Sequence, residues 1–191
     1  MTPEEVMVLF RNTGALLDGH FLYTSGRHGR AFLQAARVLQ YPKHAERLCA
    51  ALANCFSYEC VDLVVGPATG GIVLAYETAR HLGARAAYSE KREDKSMAVG
   101  RGIAIPAGCR TLVVEDVVTT GLSVSRTLDH LKQRGADIVG VGALIDRSGG
   151  KTVFPYPFRA LATLDLESWE PSGCPLCAEG LPLVDPDECE V

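Results

Sequence analysis

The chain has 191 residues, 47% hydrophobic and 22% charged, with a formal net charge of −4. That length and balance suit one domain, residues 1–191, with a sizeable buried core. A net negative chain without a concentrated basic face disfavours a nucleic-acid partner, no apolar run approaches the roughly 20 residues that span a bilayer, and MTPEEVMVLF has two acids where a signal peptide has Lys or Arg, so a cytoplasmic protein is expected.

Thr2 reads as an N-cap, Pro3 as the first helical position and Glu5 as the returning half of a capping box. Val6, Leu9, Phe10, Thr13, Leu16 and Leu17 follow at helical spacing, which predicts a helix to about Leu17. In FLYTSGRHGRAFLQAARV, Ser25-Gly26-Arg27 splits two apolar stretches and predicts two short strands, a hairpin-like hood over about 19–40 in which Arg27 and His28 read as solvent-facing. From Pro42 helices and strands alternate. YPKHAERLCAALANCF reads as a helix, VDLVVG as a strand, GGIVLAYETARHLG as a helix closed by Gly83 and ARAAYSEK as a weak strand; TLVVEDVV, SVSRTLDHLKQRG closed by Gly135, and IVGVGALIDR read as strand, helix and strand. Near-continuous Val/Ile/Leu strands alternating with helices predict an α/β fold, a parallel sheet flanked by helices on both faces. The tail after Phe158 reads as short strand-like pieces and turns. The seven cysteines are odd in number and scattered, unlike a disulfide framework. CPLC at Cys174 and Cys177 has zinc-ligand spacing and Cys189 is a third thiol, but with no fourth ligand evident the stretch reads as a plain turn.

Ligands of open parallel sheets bind beyond the strands' carboxyl ends, so the loops after Val65, Val118 and Ile145 carry the function. Glu115 and Asp116 lie side by side near the end of a strand that reads as buried, an unfavourable pairing unless a cation or hydrogen-bond donor faces them. Thr119 to Ser123 run straight into a helix. Their N–H groups, the helix dipole and the hydroxyls of Thr119, Thr120 and Ser123 suit a monophosphate, and Gly121 lets the backbone approach it. The plainer alternative is a strand-to-helix turn capped by a hydroxyl.

LVVEDVVTTGLS resembles the phosphoribosyl pyrophosphate motif of the type I phosphoribosyltransferases. The resemblance implies that fold with a small N-terminal/C-terminal hood, ribose hydroxyls on Glu115 and Asp116, and the 5-phosphate on Val117, Val118, Thr119, Thr120, Gly121, Leu122 and Ser123. YTSGRHGRAFLQAARV is similar to the hood of the orotate phosphoribosyltransferases, EKREDK to their catalytic loop and LIDRSGG to the segment supplying an arginine for orotate; GPATGGIVLAYE and CPLCAEGLPL extend the resemblance over nearly the whole chain. It implies transfer of ribose 5-phosphate from phosphoribosyl pyrophosphate to orotate, giving orotidine 5'-monophosphate in pyrimidine biosynthesis. Glu90 to Lys95 form an unbroken run of charge, read from composition as a solvated mobile loop. The resemblance makes it a basic lid in which Lys91, Arg92 and Lys95, with Asp116, are catalytic, and which reaches a neighbouring subunit's site in a homodimer.

Pyrophosphate would rest on the N–H groups of Ala68, Thr69, Gly70 and Gly71 and on Lys91, Arg92 and Lys95; orotate would meet Thr119, Arg147 and Phe32; Mg2+ would be held through substrate and water, with no direct protein ligand. Three positions depart from the family pattern: Thr24 stands for a hood lysine, Thr69-Gly70 for Tyr-Lys, and Met97 for a loop histidine. Bland readings compete at Arg147, which could pair with Asp146, and at Phe32, which could be a core aromatic. The rival functions are a purine phosphoribosyltransferase, whose base has no carboxylate for Arg147, and a non-catalytic phosphoribosyl pyrophosphate sensor, which would be expected to carry a DNA-binding segment.

Overall fold

A computed structural model describes residues 1–23 and 25–185; Thr24 and Cys189 therefore lie outside the described residues. Helix α1 (Pro3–Asn12) starts on the expected capping box, with the Thr2 N–H donating to Glu5 Oε2 at 2.8 Å and the Glu5 N–H to Thr2 Oγ1 at 3.3 Å. It stops before Leu17 because Gly14 takes a φ of 65°, after which Leu16 opens a strand. Strands β1 (Leu16–Leu22) and β2 (His28–Leu33) form the expected antiparallel hairpin. A short helix α2 (Ala36–Leu39), not expected from the sequence, leads to α3 (Pro42–Asn54).

Then follow β3 (Leu63–Pro67), α4 (Gly70–Leu82) closed by left-handed Gly83, β4 (Arg85–Lys91), β5 (Met97–Val99), β6 (Arg110–Val118), α5 (Leu122–Gln133) and β7 (Asp137–Asp146). The tail holds more order than its composition suggests. Phe158–Thr163 is a full strand, β8, parallel to β7; Ser168–Trp169 (β9) joins the hood beside β2; and CPLC is a helical turn, α6 (Pro175–Ala178), preceded by a 3-10 turn.

The main sheet runs β5-β4-β3-β6-β7-β8, parallel except for the β4–β5 hairpin. Its strands alternate between two cores. Val64, Leu112, Val114 and Leu144 pack with Val6, Phe10, Leu48, Leu52 and Leu74; Leu63, Val65, Val113 and Val141 pack with Val124, Leu128 and Leu131 of α5. This is the double cover that near-continuous apolar strands demand. From β3 the chain winds outward to β4, then returns to β6 on the other side, so order reverses between β3 and β6. Loops diverging there leave a crevice at the strands' carboxyl ends. Among the described residues, no helix is long and apolar enough to cross a membrane.

Leu112 on the central strand has no exposed surface, whereas Tyr58 is 99% exposed. Leu112→Ala is expected to cost about 2–5 kcal/mol in urea unfolding, and Tyr58→Ala less than about 0.5 kcal/mol.

Candidate active site

Two connected hollows lie at the reversal point. A cleft of about 940 Å³ is lined by Tyr23 and Phe32 of the hood, Thr119, Thr120 and Arg147 of the sheet edge, and Ser168 of the C-terminal segment. A smaller hollow of about 70 Å³ is lined by Glu115 and every residue from Val117 to Val124, and shares Thr119 and Thr120 with the cleft.

The smaller hollow forms where β6 turns into α5. Its N-cap is Gly121, at φ 70°, and no side chain caps the helix. The hydroxyls of Thr119, Thr120 and Ser123 are thus not used as caps, and the first-turn residues Leu122, Ser123 and Val124 line the hollow. Packing gives a further reason for glycine at position 121. A Cβ there would lie 2.7 Å from Phe154 Cζ and 2.8 Å from Thr152 Cγ2, so glycine admits the packing behind the loop as well as its left-handed backbone. Thr152 Oγ1 also donates to the Thr119 carbonyl at 2.8 Å.

Glu115 is 9% exposed, and Asp116 is half-buried beside it. Burial, then the neighbouring Asp116 carboxylate, pushes the Glu115 carboxyl up to about 9; burial also raises Asp116, partly offset by the Val117 N–H donating to its Oδ1 at 2.8 Å. No Lys or Arg contributes to either shift. The pair therefore holds a proton near neutral pH and is electrostatically unsatisfied when both groups ionise. Asp116 also meets the loop after β3: a Cβ on Gly70 would fall 2.2 Å from its Oδ2. In that loop Gly70 and Gly71 open α4, but the Ala68 N–H donates to the Ser89 carbonyl at 2.8 Å, which removes it from the expected pyrophosphate cradle and leaves Thr69 to Gly71.

Arg147 does not pair with Asp146. That carboxylate accepts from the Ser148 N–H at 2.9 Å, the Ser148 hydroxyl at 2.6 Å and the Gly150 N–H at 3.1 Å, folding its own loop. The Arg147 guanidinium instead lies 4.6 Å from the centroid of the Tyr23 ring, facing the cleft. Tyr23 is the site residue that sequence reading missed; its hydroxyl donates to the Ala31 carbonyl at 2.5 Å, which fixes the ring under the guanidinium. Phe32 is half-buried, 5.9 Å from the Phe21 ring, and lines the cleft instead of closing the core.

The charged run is an exposed turn, and a strand not expected from the sequence follows it. The structure folds it as the turn of the β4–β5 hairpin, with Arg92 N–H donating to the Ser96 carbonyl at 2.9 Å, Lys95 at φ 64° and Met97 buried in β5. Lys91, Arg92 and Lys95 are exposed, and none lines either hollow of its own chain. In the hood, neither Arg27 nor His28 is simply solvent-facing: Arg27 bonds Ser168 and Glu170 across to β9, and His28 is buried.

Glu115 has a folded-state pKa raised from 4.5, so from about pH 5 to pH 9 the folded state binds more protons than the unfolded state, and stability falls as pH rises through that window. Glu115→Gln is expected to flatten this fall and to be more stable than the parent at pH 8 by about 1 kcal/mol or more, measured by urea unfolding across the pH range.

A family profile described as a phosphoribosyl transferase domain matches residues 34–170. The orotate phosphoribosyltransferase of Caldicellulosiruptor saccharolyticus is 47% identical over 191 residues, covering 100% of both chains. That of Thermus thermophilus is 49% identical over 179 residues, 94% of this chain and 98% of the relative. The crystal structure of orotate phosphoribosyltransferase from Aeropyrum pernix superposes with a TM-score of 0.66 at 24% identity, over 83% of this chain and 93% of that one, a likeness of fold. With relatives this similar over their full length, a matching domain profile and the strand-order reversal already described, the chain belongs to the orotate phosphoribosyltransferase family.

Proposed function

We propose that the protein transfers the 5-phosphoribosyl group of phosphoribosyl pyrophosphate to orotate, forming orotidine 5'-monophosphate and pyrophosphate in pyrimidine biosynthesis. The observation that carries this reading is Arg147. A guanidinium held over Tyr23 at the mouth of a cleft, and not taken up by the adjacent Asp146, fits the carboxylate of orotate, which a purine lacks. Phe32 offers a face for the pyrimidine ring, and Thr119 lies where cleft and nest meet.

The 5-phosphate occupies the nest from Val117 to Ser123, on first-turn N–H groups and the hydroxyls of Thr119, Thr120 and Ser123. The vicinal hydroxyls of the ribose donate to Glu115 and Asp116, adding to the Asp116 and Val117 N–H groups that the pair already accepts from. The N–H groups of Thr69 to Gly71 face the pyrophosphate. Two hard oxygen donors with raised proton affinity and no cation against them also suit Mg2+ held through water and substrate. When bound, magnesium neutralises charge on the departing pyrophosphate. Orotate ionises readily at a ring nitrogen, so the protein needs to supply no strong base; it aligns the ring with ribose C1 and keeps water from an oxocarbenium-like centre.

Lys91, Arg92 and Lys95 complete the pyrophosphate site of a second copy in a homodimer. What supports this is that the three are exposed, on a hairpin, and line neither hollow of their own chain. There they stabilise charge developing on the leaving group. The soluble small molecules suffice as partners, with no nucleic acid or membrane.

Purified protein with magnesium and phosphoribosyl pyrophosphate is expected to consume orotate and to leave adenine and hypoxanthine untouched; turnover of a purine but not orotate would sink the proposal. Arg147→Ala is expected to lower kcat/KM for orotate about 10- to 100-fold, from the loss of charge-assisted hydrogen bonds. Lys95→Ala is expected to lower kcat at least about 10-fold. Mixing the two impaired variants should restore about one quarter of parental activity, because half of randomly assorted dimers carry one intact shared site of two; no recovery after verified subunit exchange would refute sharing.

A further inference from the structure

His20 of β1, His28 of β2 and the two cysteines of CPLC converge on one point, although His20 and Cys174 are 154 positions apart. We propose that His20 Nε2, His28 Nδ1, Cys174 Sγ and Cys177 Sγ form a tetrahedral structural zinc site that clips the C-terminal segment to the hood.

The distances carry the assignment. Zinc bonds of about 2.0–2.1 Å to nitrogen and about 2.3 Å to sulfur, in a tetrahedron, place two nitrogens about 3.3 Å apart and nitrogen and sulfur about 3.5 Å apart. Here His20 Nε2 lies 3.1 Å from His28 Nδ1 and 3.4 Å from Cys174 Sγ. Cys177 Sγ lies 3.8 Å from His20 Nε2 and 3.3 Å from His28 Nδ1, and all four donor atoms fall within 4.8 Å of one another. The thiols are not joined as a disulfide.

Protonation favours the same reading. Nδ1 of His20 is 2.9 Å from the Leu181 carbonyl, which can only accept, so Nδ1 carries the proton and Nε2 turns a lone pair toward the centre. This is the outer hydrogen bond that orients a metal-bound imidazole. His20 is 3% exposed, His28 6% and Cys174 5%, so the lone pair, a second imidazole nitrogen and a thiol meet in a nearly dry place. Two nitrogens and two sulfurs in tetrahedral array select zinc among common divalent ions. None of the four residues lines the cleft. The site closes the hood instead: β1 and β2 supply the imidazoles, and the tethered segment includes Ser168 of β9, which lines the cleft.

Protein purified without chelator, reconstituted with zinc and desalted is expected to carry about one zinc per chain by mass spectrometry, on four closed ligands. Replacing zinc with Co2+ is expected to give the strong visible absorption of tetrahedral thiolate coordination. A strong chelator should lower Tm by several degrees and zinc should restore it, both measured on the unsubstituted chain and so independent of any variant's folding. Cys177→Ser, at an exposed position, should weaken zinc binding by about 100-fold or more, while Cys60→Ser, an exposed thiol outside the cluster, should leave it unchanged. The proposal is overturned by less than about 0.1 zinc per chain after reconstitution, or by a Cys174–Cys177 disulfide in the freshly reduced and desalted protein. Zinc undiminished in folded Cys177→Ser, as binding at the surface group Glu46, Glu77 and His81 would give, overturns it equally.

Discussion

A buried strand that ends in two adjacent carboxylates makes a demand on everything around it. Glu115 and Asp116 are held at the carboxyl edge of β6 by the packing of Leu112, Val113 and Val114 into the two cores, and neither acid can retreat into water without unseating the strand. Among the described residues no basic side chain contributes to the shift of either acid, so their charge is left uncompensated there. The hollow at the start of α5 begins one turn later, and the loop after β3 comes so close to Asp116 that a Cβ at position 70 would overlap its carboxylate. Glu115 and Asp116 thus form an acidic edge of fixed shape, the place the proposed function gives to a sugar phosphate.

The acceptor side follows a different logic. The cleft is closed by a hood with its own small sheet, β1-β2-β9, and the two halves meet at Arg147 and Tyr23. The guanidinium comes from the end of β7 and its aromatic platform from the hood. The hollow at the start of α5 is therefore part of the sheet edge, whereas the cleft depends on how the hood sits over that edge.

Much of this was legible in the sequence because it is local. Capping at Thr2, the glycine stops at Gly83 and Gly135, apolar strands and the strand-to-helix turn at Gly121 are each decided within a few residues. Misreadings arose where a local pattern was ambiguous or a contact was distant. Leu16 and Leu17 satisfy helical spacing, yet the backbone had already turned at Gly14. Glu90 to Lys95 read as a loop by charge, and Arg92 to Lys95 are an exposed turn, but charge did not reveal that Met97 to Val99 return as a buried strand. The bonded state of the Ala68 N–H, the stacking of Tyr23 and the meeting of His20 with Cys174 each depend on a partner the sequence places far away.

The hood is woven from both ends of the chain. β2 pairs with Trp169, Arg27 reaches Ser168 across 141 positions, and the Leu22 N–H donates to the Val184 carbonyl. During synthesis the sheet edge, with the hollow at the start of α5, can form while these last segments are still inside the ribosome. The hood over the cleft cannot. The two halves of the crevice are therefore completed at different times, the sheet edge first and its roof last.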